Sequence, residues 1–491
     1  MPRNNRQIDR VEIRMYRMGT GDCFTLKFMK GSTVSFKLMI DCGCWKGDQN
    51  HVASFVSKLK DNINNKVDAL VVTHEHKDHV YGFEACKDQF AKGNFETKQI
   101  WMAWTEEDGN NSVETWKSDY GQKRKALARA AAKLKAAVES PDFADQLGAH
   151  REPEKLLRGR RNFASVLAGF SELHSRGFNA TGQYVDGLAG MNVVKNNIET
   201  ETYSYFKPGD VIENEPGLEG VRIYILGPPL DYDDVKKESG PRGEAYEHND
   251  KLRDVDALAM AFNAEDDAGI RQAQPFDDFY QTTEKADRNF YDKPEDTWRR
   301  IDYDWLLSAG SLALRMNTRT NNLSLVMAIE FIESGKILLF PGDAEFGSWK
   351  SWHSIDWSRQ FPGLTTEKLL NRVVFYKVAH HLSHNGTARS LGLHQMISPD
   401  LTAMATLHYG NIASGWKTTM PNVAILKDLL ERTMGRLLVM NTDKLLFDRD
   451  TEELLADKFE EYRAQMSVED RADFEANVQV TDFYISYTLD V

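Results

Sequence analysis

Histidines form two tight groups in this sequence, and each group directly follows a short apolar run. The chain has 491 residues and only 13 histidines, but three of them lie within residues 74–79 and three within 380–384. The first group reads His-Glu-His-Lys-Asp-His. Imidazole and carboxylate groups without thiolate suit zinc, manganese or iron. The group therefore predicts a metal site with an open position for water.

The spacing in the first group predicts how its side chains divide between metal ions. His74 and His76 are two residues apart in extended chain, so both imidazoles point to the same side and can bind one ion. Asp78 and His79 come after the chain turns, and they can face a second ion about 3.5–4 Å away, as in two-metal hydrolases. The expected cofactor is one or two zinc ions, with manganese or iron as alternatives.

Two later segments supply the remaining candidate ligands. Asp343 follows an apolar run and Gly342, which permits a tight turn, so its carboxylate could bridge two ions. The second histidine group follows a strand predicted at 373–378 and offers one more imidazole. We expect His380 to be that ligand rather than His381, because His380 lies nearer to the strand.

Apolar patterns predict the elements that must hold these residues. A strand, a helix and a further strand in the first hundred residues indicate an α/β sandwich. Asp22 ends the turn sequence Gly-Thr-Gly-Asp and is expected to be a turn or capping residue. Strands are predicted at 11–15, 24–28, 34–40, 67–72, 221–226, 312–315, 323–331, 336–340, 373–378, 437–440 and 478–489, and helices at 52–59, 122–138 and 423–432.

Composition limits the classes of protein that the chain can be. Lys and Arg number 61 against 74 Asp and Glu, a net charge of −13, so the chain is not a general polyanion binder. No stretch approaches the ~18 apolar residues of a membrane-spanning helix, and the N-terminus has no apolar signal-peptide core. We therefore expect a cytoplasmic protein without a membrane partner. The four cysteines are too few for a disulfide framework and are expected to be buried thiols.

Two segments depart from the strand-rich pattern. From 121 to 161, eleven Lys and Arg outnumber five Asp and Glu around an amphipathic helix. This helix is either a solvated face or an arm that contacts substrate or nucleic acid. The predicted divisions are 1–105 and 305–445 for the two halves of the core, 106–200 for a helical basic insertion, 201–230 for core strands, 231–304 for an acidic loop-rich insertion and 446–491 for an acidic C-terminal extension.

The order of these residues resembles the metallo-β-lactamase fold superfamily. Its signature is His-x-His-x-Asp-His after a strand, a later Gly-Asp and a last His after another strand, and the first motif is complete at 74–79. Asp41 matches the early Asp-x-Gly of the family, which implies that it orients the histidine loop. The middle ligand of the family, in a Gly-His-Thr-x-Gly loop, has no match here. The resemblance implies an αββα sandwich and the metal ligands His74, His76, Asp78, His79, Asp343 and His380.

A closer similarity is to the metallo-β-lactamase domain of ComEC-type DNA-uptake proteins, and it implies a bacterial origin. Residues 19–22, 321–326 and 378–383 resemble its Gly-Gln-Gly-Asp, Asn-Asn-Ser-Leu-Val and Pro-His-His-Gly-Ser segments, with Leu382 in place of the last segment's glycine. The similarity favours cleavage of a phosphodiester in nucleic acid or a nucleotide.

The residues and the resemblance together predict metal-assisted hydrolysis. A metal lowers the pKa of bound water toward ~7, Asp78 orients that water, and His380 or His381 stabilises the developing charge. His384 either supports this loop or is a structural histidine. We expect a phosphodiesterase or nuclease first, a small-molecule ester, thioester or lactam hydrolase second, and a non-catalytic partner-binding module third.

Overall fold

Two β-sheets packed face to face form the centre of the fold. Ile13 and Leu38 of one sheet and Met327 and Leu338 of the other belong to the same buried apolar cluster. Helices cover the two outer faces, so the layers are αββα and the predicted α/β sandwich is confirmed. This computed structural model describes residues 7–109, 111–140, 153–178, 184–186, 189–237, 240, 309–412, 420–441 and 455–491.

The described strands belong to two large sheets and one small hairpin. In chain order they are Arg10–Tyr16 (β1), Phe24–Lys30 (β2), Thr33–Ile40 (β3), Lys66–Val72 (β4), Glu96–Ala103 (β5), Ser175–Phe178 (β6), Tyr184–Asp186 (β7), Glu199–Phe206 (β8), Val211–Glu213 (β9), Val221–Gly227 (β10), Val326–Phe331 (β11), Ile337–Phe340 (β12), Val373–Lys377 (β13), Thr402–His408 (β14), Leu437–Asn441 (β15), Val478–Val480 (β16) and Tyr484–Asp490 (β17).

Each large sheet contains a run of parallel strands. The first sheet has the order β16-β17-β1-β2-β3-β4-β5-β8, and β3, β4, β5 and β8 are parallel neighbours. The second has the order β15-β14-β13-β12-β11-β10-β9, with β12 to β15 parallel. Parallel strands bring their carboxyl ends to one edge of a sheet, where binding sites of α/β proteins form. The segments after β3, β4, β12 and β13 contain the candidate ligands.

The described helices flank the sheets and include the basic insertion. They are Gln49–Ile63 (α1), Lys77–Ala85 (α2), Lys87–Phe90 (α3), Asn111–Glu139 (α4), Pro153–His174 (α5), Ala189–Asn196 (α6), Tyr232–Val235 (α7), Ala309–Asn322 (α8), Phe346–Trp352 (α9), Thr366–Leu370 (α10), Val423–Arg432 (α11), Leu455–Arg463 (α12) and Val468–Ala476 (α13). Among the described residues, no helix is long and apolar enough to cross a membrane.

Local sequence explains most of these elements. Val11, Ile13 and Met15 of β1 alternate with polar residues and are fully buried, as a strand with one face on the core requires. Asp48 caps α1 by accepting a hydrogen bond from the backbone nitrogen of His51 at 2.8 Å, which satisfies one of the free donors at the start of the helix.

The strand predicted at 312–315 is wrong, because this segment belongs to helix α8. Ala313, Met316 and Thr320 are all buried, and their spacing of three and four residues follows one face of a helix. The short apolar segment alone could not distinguish a strand from a buried helix.

The basic helix predicted at 122–138 is confirmed and extends over the whole of α4. Its apolar positions Leu127 and Leu134 are buried in the same cluster as Leu167 of α5, so the insertion packs on the core. Of the acidic insertion predicted at 231–304, all but 231–237 and 240 lies outside the described residues.

Candidate metal centre

The loop after β4 is held in place by the segment after β3. Asp41 accepts hydrogen bonds from the backbone nitrogen of Thr73 at 2.8 Å and from its hydroxyl at 2.6 Å. Gly43 lies directly against the turn of the loop, since a Cβ there would be 2.2 Å from the carbonyl oxygen of Asp78. The Asp-x-Gly sequence therefore combines a carboxylate that binds the loop with a glycine that permits its close approach.

A group of nitrogen and oxygen atoms converges on one carboxylate oxygen of Asp343. Its Oδ2 lies 3.1 Å from His79 Nε2 and 3.1 Å from His381 Nε2. His381 Nε2 is also 3.2 Å from Asp78 Oδ2. Ligand atoms of Asp22, His79, Asp343 and His381 all lie within 4.8 Å of one another, so the group can surround a single cation.

A second group lies beside it in the same loop. His74 Nε2 is 3.0 Å from His76 Nδ1, so these nitrogens face a common point. The other nitrogen of His74 lies 3.1 Å from the hydroxyl of Thr73 and 3.2 Å from that of Ser324. Such contacts orient an imidazole and leave its remaining nitrogen for a ligand.

Two buried atoms show that this site suits a cation. Within the described part of the chain, His76 Nε2 and Asp78 Oδ1 have no hydrogen-bond partner. Buried polar atoms normally have one. Neutral imidazole and carboxylate are donors that zinc, manganese and iron accept, so the residues present fit the metal that the sequence implies.

The histidines of the two groups differ in their protonation. Burial alone would lower the pKa of His79, but the carboxylates of Asp343, Asp22 and Asp41 raise it well above its usual value. Burial also opposes protonation of His381, yet Asp343 and Asp78 raise the pKa of His381 to about 9. In the metal-free protein these two imidazoles therefore hold protons, and a metal must displace them to bind.

The imidazoles of the second group are neutral. Burial lowers the pKa of His74 and of His76 well below the usual value, and neighbouring histidines lower both further. Neutral imidazole is the form that binds a metal, so His74 and His76 need no proton loss to act as ligands.

The structure favours His381 over His380 as the ligand from the second histidine group, in contrast to our expectation. His380 Nε2 lies 3.3 Å from Asn321 Nδ2, and its Nδ1 lies 3.1 Å from Asn385 Oδ1. Both histidines have left-handed backbone, with φ of 46° and 50°, and this local twist turns the more distant imidazole toward Asp343. Among the described residues, His384 is not part of the converging group.

Sequence reasoning missed two residues of the centre. Lys377 is buried, and its Nζ lies 2.6 Å from Asp22 Oδ2 and 3.2 Å from Asp343 Oδ1. Asp22 also accepts a hydrogen bond from the hydroxyl of Thr406 at 2.7 Å, so the turn or capping role expected for Asp22 is wrong. A lysine inside an apolar strand was the available signal, because lysine is rarely buried without a charged partner.

The basic insertion contacts the metal loop directly. Arg124 of α4 is buried, and its guanidinium donates to the carboxylate of Glu75 at 2.7 Å. His174, the last residue of α5, lies edge-on to His76 with the ring centroids 4.5 Å apart. Two helices of the insertion therefore form one wall of the centre.

The four cysteines lie outside the converging group. Cys23, Cys42, Cys44 and Cys86 are all buried free thiols, as the sequence predicts. Burial raises the pKa of Cys44 to about 12, so this side chain is a neutral thiol rather than a thiolate ligand.

Replacing Asp41 with asparagine is expected to weaken metal binding by about 10–100-fold, the usual effect of losing a group that orients a ligand. Asparagine has one acceptor oxygen instead of two and no negative charge, so it cannot accept from both Thr73 N and His79 Nδ1 as the carboxylate does at 2.8 and 2.7 Å, but it tolerates the left-handed backbone, with φ of 54°. Competition with a chelator measures the affinity. Asp68→Asn is the matched control, because Asp68 also accepts from a backbone nitrogen, that of Lys37. Equal affinity in both variants would contradict the assigned role of Asp41.

Comparison with known proteins agrees with this geometry. Residues 33–159 match the family model described as the metallo-beta-lactamase superfamily, a range that includes Asp41 and the histidine loop. No curated protein matches the chain. The superfamily consists mostly of metal-dependent hydrolases, and the converging ligand atoms suit such an activity. Residues 33–159 of the chain are therefore similar to the metallo-β-lactamase superfamily.

Proposed function

We propose that the protein is a metal-dependent phosphodiesterase that cleaves nucleic acid or a nucleotide. The observation that carries this proposal is the convergence of His79 and His381 on Asp343, with Asp78 in contact with His381, beside the pair His74 and His76. Two adjacent ligand groups suit the hydrolysis of a phosphodiester, in which one charge develops on the attacking oxygen and another on the leaving oxygen. The ComEC-type motifs favour the same bond.

The side chains of the centre have separate roles in the proposed hydrolysis. A bound metal supplies Lewis acidity and lowers the pKa of water toward ~7. Asp78 Oδ1 is buried and has no hydrogen-bond partner among the described residues, so it can accept a hydrogen bond from the attacking water and orient it. His381 is fixed through Nδ1, which lies 2.7 Å from the hydroxyl of Thr406. Lys377 compensates the negative charge of Asp343 and Asp22.

The outer surface of the insertion supports a phosphate-containing substrate. Lys133 and Lys135 of α4 and Arg158 and Arg161 of α5 are exposed, and they belong to helices that also reach the metal loop. Basic side chains on such a surface can contact backbone phosphates. The net charge of −13 on the whole chain opposes tight binding of duplex, so short or single-stranded substrates are favoured.

The burial of the site favours a second candidate, a hydrolase of small esters, thioesters or lactams. His74, His76, His79 and Asp343 are each no more than 2% exposed. A long polymer needs an open groove to reach such atoms, whereas a small substrate does not.

Hydrolysis of chromogenic substrates distinguishes the two candidates. The metal-free protein is assayed with zinc and then manganese on bis(4-nitrophenyl) phosphate, 4-nitrophenyl acetate and a chromogenic cephalosporin. We expect metal-dependent turnover of the phosphodiester that Asp343→Asn lacks. Cleavage of a short single-stranded oligonucleotide should also weaken steeply with salt. Turnover of only the ester or the lactam would overturn the proposal in favour of the small-molecule hydrolase. No turnover of any of the three substrates with either metal would overturn it in favour of a non-catalytic module.

A further inference from the structure

His174 is a buried histidine without a hydrogen-bond partner among the residues that the structure describes. It ends α5 in the basic insertion and is 3% exposed. Within the described part of the chain, neither of its ring nitrogens makes a hydrogen bond. A buried polar atom without a hydrogen bond is unfavourable, and His174 has two, so its position requires a partner that the described protein atoms do not provide.

The surroundings of His174 indicate the kind of partner. Its ring lies 4.5 Å from the ring of His76, at an angle of 70°. The ring of His76 in turn lies 4.8 Å from that of His74. The three buried imidazoles are therefore consecutive neighbours. Two of them already face a common point, since His74 Nε2 lies 3.0 Å from His76 Nδ1. Neutral nitrogen donors around one point are the environment of a transition-metal ion.

An ion pair holds the insertion beside the metal loop. The guanidinium of Arg124 is buried there and pairs with Glu75. A neutral imidazole nitrogen is a metal ligand, so a metal ion is a suitable partner for a ring nitrogen of His174.

We propose that His174 is a ligand of the metal ion held by His74 and His76, and that the basic insertion thereby completes this ion's site. The inference rests on the metal dependence in the proposed function but not on the phosphodiester. It explains why α4 and α5 both reach this loop, since the Arg124–Glu75 ion pair holds the insertion where His174 meets His76.

Metal titration of variants tests this inference without measuring activity. His174→Phe keeps a ring of similar size against His76 but has no nitrogen, and His174→Cys offers a different ligand atom. We expect His174→Phe to weaken binding of one ion by at least about 10-fold, as loss of a group that only orients a ligand already does. With cobalt(II) we expect His174→Cys to show a thiolate-to-cobalt charge-transfer absorption that the wild-type protein lacks.

His394→Phe is the matched control, because His394 is a partly exposed histidine paired with Asp428 away from the centre. It should bind as many ions as the wild-type protein, as measured by elemental analysis after gel filtration. Wild-type affinity and stoichiometry in His174→Phe, or no thiolate absorption in a folded His174→Cys, would overturn the inference. If these variants behave as expected but the wild-type protein cleaves no phosphodiester, the inference stands and the proposed substrate class is wrong.

Discussion

Replacing Asp343 with asparagine is expected to lower metal-dependent turnover by about 10³-fold, since a group that positions charge in the transition state is lost. Asp343 Oδ2 is the common neighbour of His79 and His381, at 3.1 Å from each. The asparagine amide keeps the shape of the side chain but removes the negative charge. The kcat on bis(4-nitrophenyl) phosphate and the metal content of the purified protein measure the effect.

Glu330→Gln is the matched control for this variant. Glu330 is also a buried carboxylate, but it accepts a hydrogen bond from Tyr224 at 2.8 Å, away from the centre. Circular dichroism establishes that both variants are folded. Wild-type turnover and metal content in Asp343→Asn would show that Asp343 is not part of the metal site. An equal loss of turnover in Glu330→Gln would show that the effect is structural.

The parts of the centre that lie in short motifs could be predicted from the sequence. His74, His76, Asp78 and His79 lie within six residues after one strand, so their proximity needs no knowledge of the fold. The end of β12 and its glycine similarly pointed to Asp343, and Gly342 has the left-handed backbone of such a turn, with φ of 58°.

The remaining residues of the centre depend on tertiary contacts. Asp22 and Lys377 are separated by most of the chain and meet only because the two sheets pack together. His174 reaches His76 from an insertion whose own sequence indicates only an amphipathic helix. The choice between His380 and His381 depends on three consecutive residues with left-handed backbone, a conformation that few non-glycine residues adopt.

Replacing Lys377 with methionine is expected to destabilise the metal-free protein by about 3–5 kcal/mol, the usual cost of breaking a buried ion pair. Burial alone would lower the pKa of Lys377, but the adjacent carboxylates of Asp22 and Asp343 raise it, so the ammonium is charged. Methionine fills a similar volume but leaves both carboxylates without this cation. Urea unfolding in the presence of a chelator measures the free energy of unfolding.

Added zinc is expected to restore much of the stability that Lys377→Met loses, because a divalent cation also compensates the charge of Asp343. A ligand that binds only the folded state adds RT ln(1 + [L]/Kd) to stability. The gain on adding zinc should therefore be larger in Lys377→Met than in the wild-type protein. Lys27→Met is the matched control, since Lys27 is a strand lysine near Glu12 and Asn62, and its effect should not depend on zinc. An equal loss in Lys377→Met with and without zinc would mean that Lys377 and the metal do not share the charge of Asp343.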